Sequence, residues 1–175
     1  HCAFVVDIDQ ALEIEEDALL RDSGPHHAHE KLSLAEMEIF QGLERDDIAA
    51  LESVILTLEY KAGEMVLRSG EEGRIFFIVA RGSVSIYVGD PEAGAHRVAS
   101  AGPGQSFGEM ALLDGGRRSA NVRADTAVLA YGIAVEEVRR LSRTRPQIME
   151  TILGNIVRSL SLRLRAANDQ IAAIE

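Results

Sequence analysis

Cysteine is nearly absent. Cys2 is the one thiol in 175 residues, so no internal disulfide is available and the chain suits a reducing compartment, the cytoplasm or the cytoplasmic face of a membrane protein. A small residue buried in a strand that begins upstream is the plain reading of it. Positive charge is scarce as well. Against 28 acids stand 18 bases, and residues 1–60 hold 15 of those acids but 3 of the bases. A front so acidic has little attraction for phosphate backbones, and nucleic acid is not an expected partner. No run is long and apolar enough to span a bilayer, and no signal peptide or methionine opens the chain at His1. The expectation is a fragment without membrane contact of its own. Catalytic signatures are missing too: no nucleophile elbow, no His-Glu-x-x-His, no P-loop and no paired-cysteine metal site. Neither an enzyme nor a resident cofactor is expected within these residues. What remains is apolar content of 46 %, enough for the core of one compact domain with an appendage.

The most informative stretch runs from Phe107 to Ala120. Gly108, Glu109, an apolar one-turn helix candidate at Met110-Ala111-Leu112-Leu113, and the guanidinium of Arg118 fall within fourteen residues. Taken singly they are ordinary: a turn, an acidic helix start, a solvated strand residue. Together they are the parts of an anion pocket. Gly108 lets backbone approach a ligand, the helix start offers unpaired N–H groups, and Arg118 adds a charged fork. A carboxylate beside a phosphate is repulsive unless it faces hydroxyl donors, so Glu109 reads as the sugar reader and Arg118 as the phosphate reader. The implied ligand is a sugar phosphate with a free hydroxyl.

Upstream, Leu58 to Leu67 reads as strand, turn and strand, with a further turn over Ser69 to Gly73. Ile75 to Val88 forms two apolar or alternating runs meeting at Gly82, a hairpin candidate. Strand character returns at 120–124 and 127–131, and many short strands with Gly-rich turns argue for a sandwich or roll. Val135 to Leu141 has helical spacing. Pro146 then opens one long helix in which Met149, Leu153, Ile156, Leu160, Leu164, Ala167, Ile171 and Ile174 recur every three or four residues, with Arg158, Arg163 and Arg165 on other faces. Gly154 inside it costs about 1 kcal/mol relative to alanine, which suggests a hinge or a close packing contact. Toward the front, Ser33-Leu34-Ala35-Glu36 is a capping-box candidate for a helix running through Met37, Ile39 and Phe40. A second short helix is expected over 46–51.

The 107–120 segment resembles the phosphate-binding cassette of the cyclic nucleotide-binding domain family, which includes the catabolite activator protein and the regulatory subunits of protein kinase A. The resemblance extends over roughly residues 40 to 165, with Gly63, Gly70, Gly82 and Gly104 where the family's roll turns. It implies a mainly β fold with flanking helices: a jelly-roll-like β-roll over about 54–133, N-terminal helices, and B and C helices over about 135–175. The domain would occupy 33–175. Carried over by position, Glu109 would accept from the ribose 2′-hydroxyl and Arg118 would pair with the exocyclic phosphate oxygens. Gly108 and Ala111 would donate backbone N–H groups, Ser119 a hydroxyl, and Phe107, Met110 and Ala120 would complete the ligand-binding set. Arg117 is the neighbour of the matching arginine.

The ligand implied is cyclic AMP or cyclic GMP. Ser119 permits both, and the lack of a further guanine reader favours the adenine nucleotide. In the family the last helix closes over the base as a lid and often forms a dimer seam, so a regulatory module and a homodimer through that helix are implied. Two alternatives keep the fold: a degenerate roll used for protein interaction, and the sensor part of a transcription factor. The second needs a helix-turn-helix, and none occurs in these residues.

Residues 3–20 read as a strand end and an acidic amphipathic helix that resembles the last element of the STAS domain, found in sulfate-transporter tails, anti-sigma-factor antagonists and some multidomain glutaminases. Residues 1–21 are thus expected to be the end of an upstream domain or an acidic linker helix. Residues 22–32, with Gly24 and Pro25, read as a linker. Its His26, His27 and His29 are not expected to form a metal centre, since a structural zinc site needs four ligands in fixed geometry.

Overall fold

The computed structural model describes residues 32–89 and 95–172, within a unit that runs from Lys31 to Glu175. The expected strand end and acidic helix at the front, and the histidine-bearing linker, lie outside the described residues.

Eight strands form two antiparallel four-stranded sheets. One is ordered β1 (Leu56–Tyr60), β8 (Val128–Ala134), β3 (Ile75–Arg81), β6 (Ser106–Phe107). The other is ordered β2 (Met65–Leu67), β7 (Asn121–Ala124), β4 (Val84–Val88), β5 (His96–Ala101). This is the expected roll with flanking helices, and it explains the unbroken apolar run in β3. Phe76, Ile78 and Ala80 face the helices, while Phe77 and Val79 face the opposing sheet, so both sides of the strand are buried.

That double burial also corrects the hairpin expected across Gly82. β3 pairs with β6 and β8, whereas β4 pairs with β5 and β7. The two runs are consecutive but belong to different sheets. Gly82 is the crossing point, at φ +87, and a Cβ there would clash with the Ala127 carbonyl oxygen. Two elements were not anticipated, β5 and β6; the latter has two residues and is too short to show a period.

At the front, the Glu36 carboxylate accepts from the Ser33 N–H at 2.9 Å, the carboxylate half of a capping box, and also from the Ser33 hydroxyl at 2.6 Å. The helix it opens is not continuous. Two 3-10 turns, Leu34–Glu36 and Glu38–Phe40, flank an extended Met37. In an α-helix Met37 and Ile39 would lie about 200° apart, and one would face water. Breaking the helix buries Leu34, Met37, Ile39 and Phe40 together.

Helix α1 (Arg45–Glu52) follows, with Asp46 and Asp47 in its first turn, where carboxylates complement the helix dipole. α2 (Met110–Asp114) lies in the cassette, and α3 (Val135–Ser142) leads to the long α4 (Pro146–Ala172). Ile148, Ile152 and Ile156 of α4 are buried against the front turns and α3. Asp47, 1 % exposed, accepts from Arg145 Nη1 at 2.8 Å and from Gln147 Nε2 at 3.2 Å to each oxygen, fastening α1 to the α3–α4 corner. A Cβ on Gly154 would meet nothing within 4 Å, so the close packing contact considered there is not present.

Candidate functional site

Phe107, the last residue of β6, is fully buried and stacks on Phe77 of β3 with ring centroids 5.1 Å apart and planes 8° off parallel. Its side chain is core, which anchors the start of the cassette. The next residue turns the chain. Gly108 has φ +69, and a Cβ there would sit 2.8 Å from Arg118 Nη1 and 3.1 Å from Leu67 Cδ1. The conformation favours glycine, and a larger residue would also push the Arg118 guanidinium from its place. The Glu109 carbonyl then accepts from the Leu112 N–H at 2.9 Å, which opens α2. As at any helix start, the N–H groups ahead of Leu112 in this turn have no intrahelical acceptor. Met110 and Leu113 are exposed and Leu112 is buried.

Arg118 comes back to this turn from the other side. Its backbone N–H donates to the Glu71 carbonyl at 2.8 Å and its own carbonyl accepts from the Gly70 N–H at 2.9 Å, which pins its Cα to the 69–73 turn. From there the half-buried side chain points inward. Nη1 donates to the Gly108 carbonyl at 3.1 Å, Nη2 to the Ile75 carbonyl at 2.6 Å, and Cζ lies 5.7 Å from the centre of the Phe77 ring. Two carbonyls use two of the five donors of a guanidinium, and among the described residues no carboxylate lies within ion-pair distance of it. Burial pushes the Arg118 pKa below the usual arginine value, against the opposing influence of Glu71 and Tyr60. A cation in that position is desolvated without a counter-ion, and an anion would relieve it.

Arg117, one residue earlier, is exposed and donates to the Gly70 carbonyl at 2.7 Å. The two arginines thus differ in exposure, Arg118 half-buried and pointing inward, Arg117 exposed. Ser119 is exposed and Ala120 half-buried beside them.

Glu109 is 5 % exposed. Its Oε1 accepts from Arg163 Nη1 at 3.4 Å, while Oε2 is buried with no hydrogen-bond partner among the described residues. Arg163 belongs to α4, 54 positions away, and its Nη2 also donates to the Ser106 carbonyl at 2.7 Å. The sequence offered it as one of three arginines on the polar faces of the last helix and gave no sign of which one turns inward. Tyr60 is a second addition: burial raises its hydroxyl pKa, Glu64 raises it further, and the charge of Arg118 opposes both.

No group of three or more metal-ligating side chains occurs among the described residues, and His26, His27 and His29 lie outside them. No helix among the described residues is long and apolar enough to cross a membrane. An open depression of about 430 Å³ bordered by Leu34, Glu52, Ile55, Thr57 and Tyr131 shares no residue with the cassette and has no cation among its described lining residues.

Residues 57–145 match the sequence profile described as the cyclic nucleotide-binding domain. The chain is 32 % identical over 165 residues to Glutaminase 1 of Bradyrhizobium diazoefficiens, an alignment covering 94 % of this chain and 26 % of that protein. It is 32 % identical over 139 residues to the CRP-like cAMP-activated global transcriptional regulator of Mycobacterium tuberculosis, covering 79 % of this chain and 60 % of that one. Among solved structures, the catabolite activator protein of Thermus thermophilus superposes with a TM-score of 0.64 at 28 % identity, covering 78 % of this chain and 62 % of that one. The chain therefore spans about a quarter of its glutaminase relative and 60 % of its regulator relative.

Proposed function

The chain belongs to the cyclic nucleotide-binding domain family, a family of regulatory rather than catalytic modules, and from that premise we propose that it binds a cyclic purine mononucleotide, cyclic AMP in preference to cyclic GMP. Arg118 takes the phosphate, Glu109 the ribose 2′-hydroxyl, and the Gly108 and Ala111 N–H groups the same ribose-phosphate unit. Phe107 serves from the core, by holding the turn in place. One observation carries the reading. A half-buried guanidinium without a counter-ion and a buried carboxylate with an unpartnered oxygen are joined through one residue, since Arg118 bonds the carbonyl of Gly108, next to Glu109. A ligand with both an anionic phosphate and a free hydroxyl satisfies both groups at once.

The output is regulation by population shift. The nucleotide favours the form with α4 closed over the site, and because Asp47 ties α1 to the foot of α4, the front of the domain responds with it. The long alignment with a glutaminase supports a place inside a larger cytoplasmic multidomain protein whose activity this module controls from outside the catalytic region. A second copy of the chain is a further partner. Leu153, Val157, Leu160 and Leu164 repeat at the four-and-three spacing of a coiled-coil seam, and Val157 and Leu164 are 56 % and 63 % exposed.

Side-by-side calorimetry with cyclic AMP and cyclic GMP tests the reading. Saturable uptake of cyclic AMP at lower concentration than cyclic GMP is expected. Heat of dilution alone with both, and no thermal stabilisation at ligand excess, overturns it in favour of a roll used for protein interaction.

A further inference from the structure

Ser119 is exposed and lies between α2 and β7, outside any helix or strand, where Gly115 and Gly116 leave the chain few side-chain constraints. Its hydroxyl makes no hydrogen bond among the described residues. Two arginines come directly before it: Arg117, exposed and bonded to the Gly70 carbonyl, and Arg118, half-buried, with two of its five donors spent on carbonyls and no carboxylate within ion-pair distance among the described residues. A surface serine with no bond to give up, on irregular backbone behind two guanidinium groups, suits a kinase whose substrate cleft is acidic. Ser142 also follows a pair of arginines, Arg139 and Arg140, but it is half-buried and its hydroxyl donates to the Val138 carbonyl at 2.7 Å within α3. The structure separates two serines that the sequence leaves alike.

We propose that Ser119 is a phosphoacceptor for an arginine-directed serine kinase, and that phosphate on it excludes the cyclic nucleotide from the site. The exclusion rests on the ligand assignment above. In the transfer, Ser119 Oγ bonds the γ-phosphorus of Mg-ATP as the bond from that phosphorus to its bridging oxygen breaks; ADP leaves, and the hydroxyl proton passes to the base of the kinase. The product sets about two negative charges one residue away from Arg118. An incoming nucleotide phosphate then meets like charge at the mouth of the site, and the guanidinium that would draw it in already has an anion beside it. Exclusion works in both directions, because a bound nucleotide covers the Ser119 hydroxyl and keeps the acceptor atom from the kinase.

The test treats the full chain with Mg-ATP and the catalytic subunit of protein kinase A, free of its regulatory subunit, then locates phosphate by peptide mass spectrometry and measures cyclic AMP affinity by calorimetry. Phosphate on Ser119 and a loss of affinity of roughly tenfold or more are expected, and excess cyclic AMP present during the treatment should slow incorporation by about threefold or more. In Ser119→Ala the same treatment should change the affinity by less than about twofold from its untreated value, which assigns the loss to that hydroxyl rather than to Ser142. No phosphate, or phosphate on Ser142 alone, overturns the acceptor. Phosphate on Ser119 with unchanged affinity overturns the exclusion while leaving the ligand assignment standing. An untreated chain that takes up no cyclic AMP overturns the ligand assignment, and the exclusion with it.

Discussion

Two buried carboxylates sit at opposite purposes in this domain. Asp47, at the helix corner, is 1 % exposed and satisfied at both oxygens by Arg145 and Gln147. Glu109, in the cassette, is 5 % exposed and has one long contact and one oxygen with nothing to accept from among the described residues. Burying a charge is costly unless it is paired and hydrogen-bonded, so the first arrangement is what a structural acid needs and the second is what a binding acid tolerates. The cations differ in the same way. Arg145 has its carboxylate, whereas Arg118 is given two carbonyls and a ring face. One region is complete without a ligand, and the other would be finished by the nucleotide proposed for it.

The largest effect that would break this contrast lies at the corner. Asp47→Ala strands Arg145 and Gln147 and should lower unfolding stability by about 2–4 kcal/mol in urea titration. A loss as small as that of an exposed pair would mean the corner is not the fixed point assumed. Glu109→Gln should behave in the opposite sense. It removes a poorly satisfied buried charge, so stability should hold or rise, while affinity for cyclic AMP falls roughly tenfold. Loss of stability comparable to the Asp47 variant would make Glu109 a second structural acid.

A smaller effect is expected on α4. Gly154→Ala has open space for its methyl and should stabilise the domain by about 0.5–1 kcal/mol, since alanine is the better helix former. Destabilisation in thermal unfolding would reveal a hinge. The smallest effect belongs to the front turn. Hydrogen bonds from the Ser33 hydroxyl and N–H hold the Glu36 carboxyl below its ordinary pKa, so its contribution is complete above the unfolded value of 4.5 and fades as pH falls through the lowered folded value. Ser33→Ala should flatten that part of the acid unfolding profile; an unchanged profile would leave the cap without energetic weight.

The site was legible in the sequence to the extent that it is local. Gly108, Glu109 and Arg118 lie within one short segment, and the structure brings the Arg118 guanidinium to the Gly108 carbonyl, next to Glu109. Arg163 reaches Glu109 across 54 positions, and nothing in helical periodicity marks which polar residue of a long helix turns inward. Likewise β3 and β4 are consecutive apolar runs around a glycine, a pattern shared by hairpins and by strands that change sheets; strand pairing decides between them, and pairing is a tertiary fact. The capping box was visible at Ser33 and Glu36. The break at Met37 was not, because it answers to four apolar side chains seeking one core rather than to local propensity.

The most direct measurement titrates cyclic AMP into the wild type, Arg118→Ala and Arg117→Ala in one calorimetric series. The inward arginine should cost at least roughly tenfold in affinity, and the outward one, bonded to the Gly70 carbonyl at the surface, less than about twofold. Equal affinity in all three proteins would contradict the claim that Arg118 is the half-buried cation that takes the phosphate.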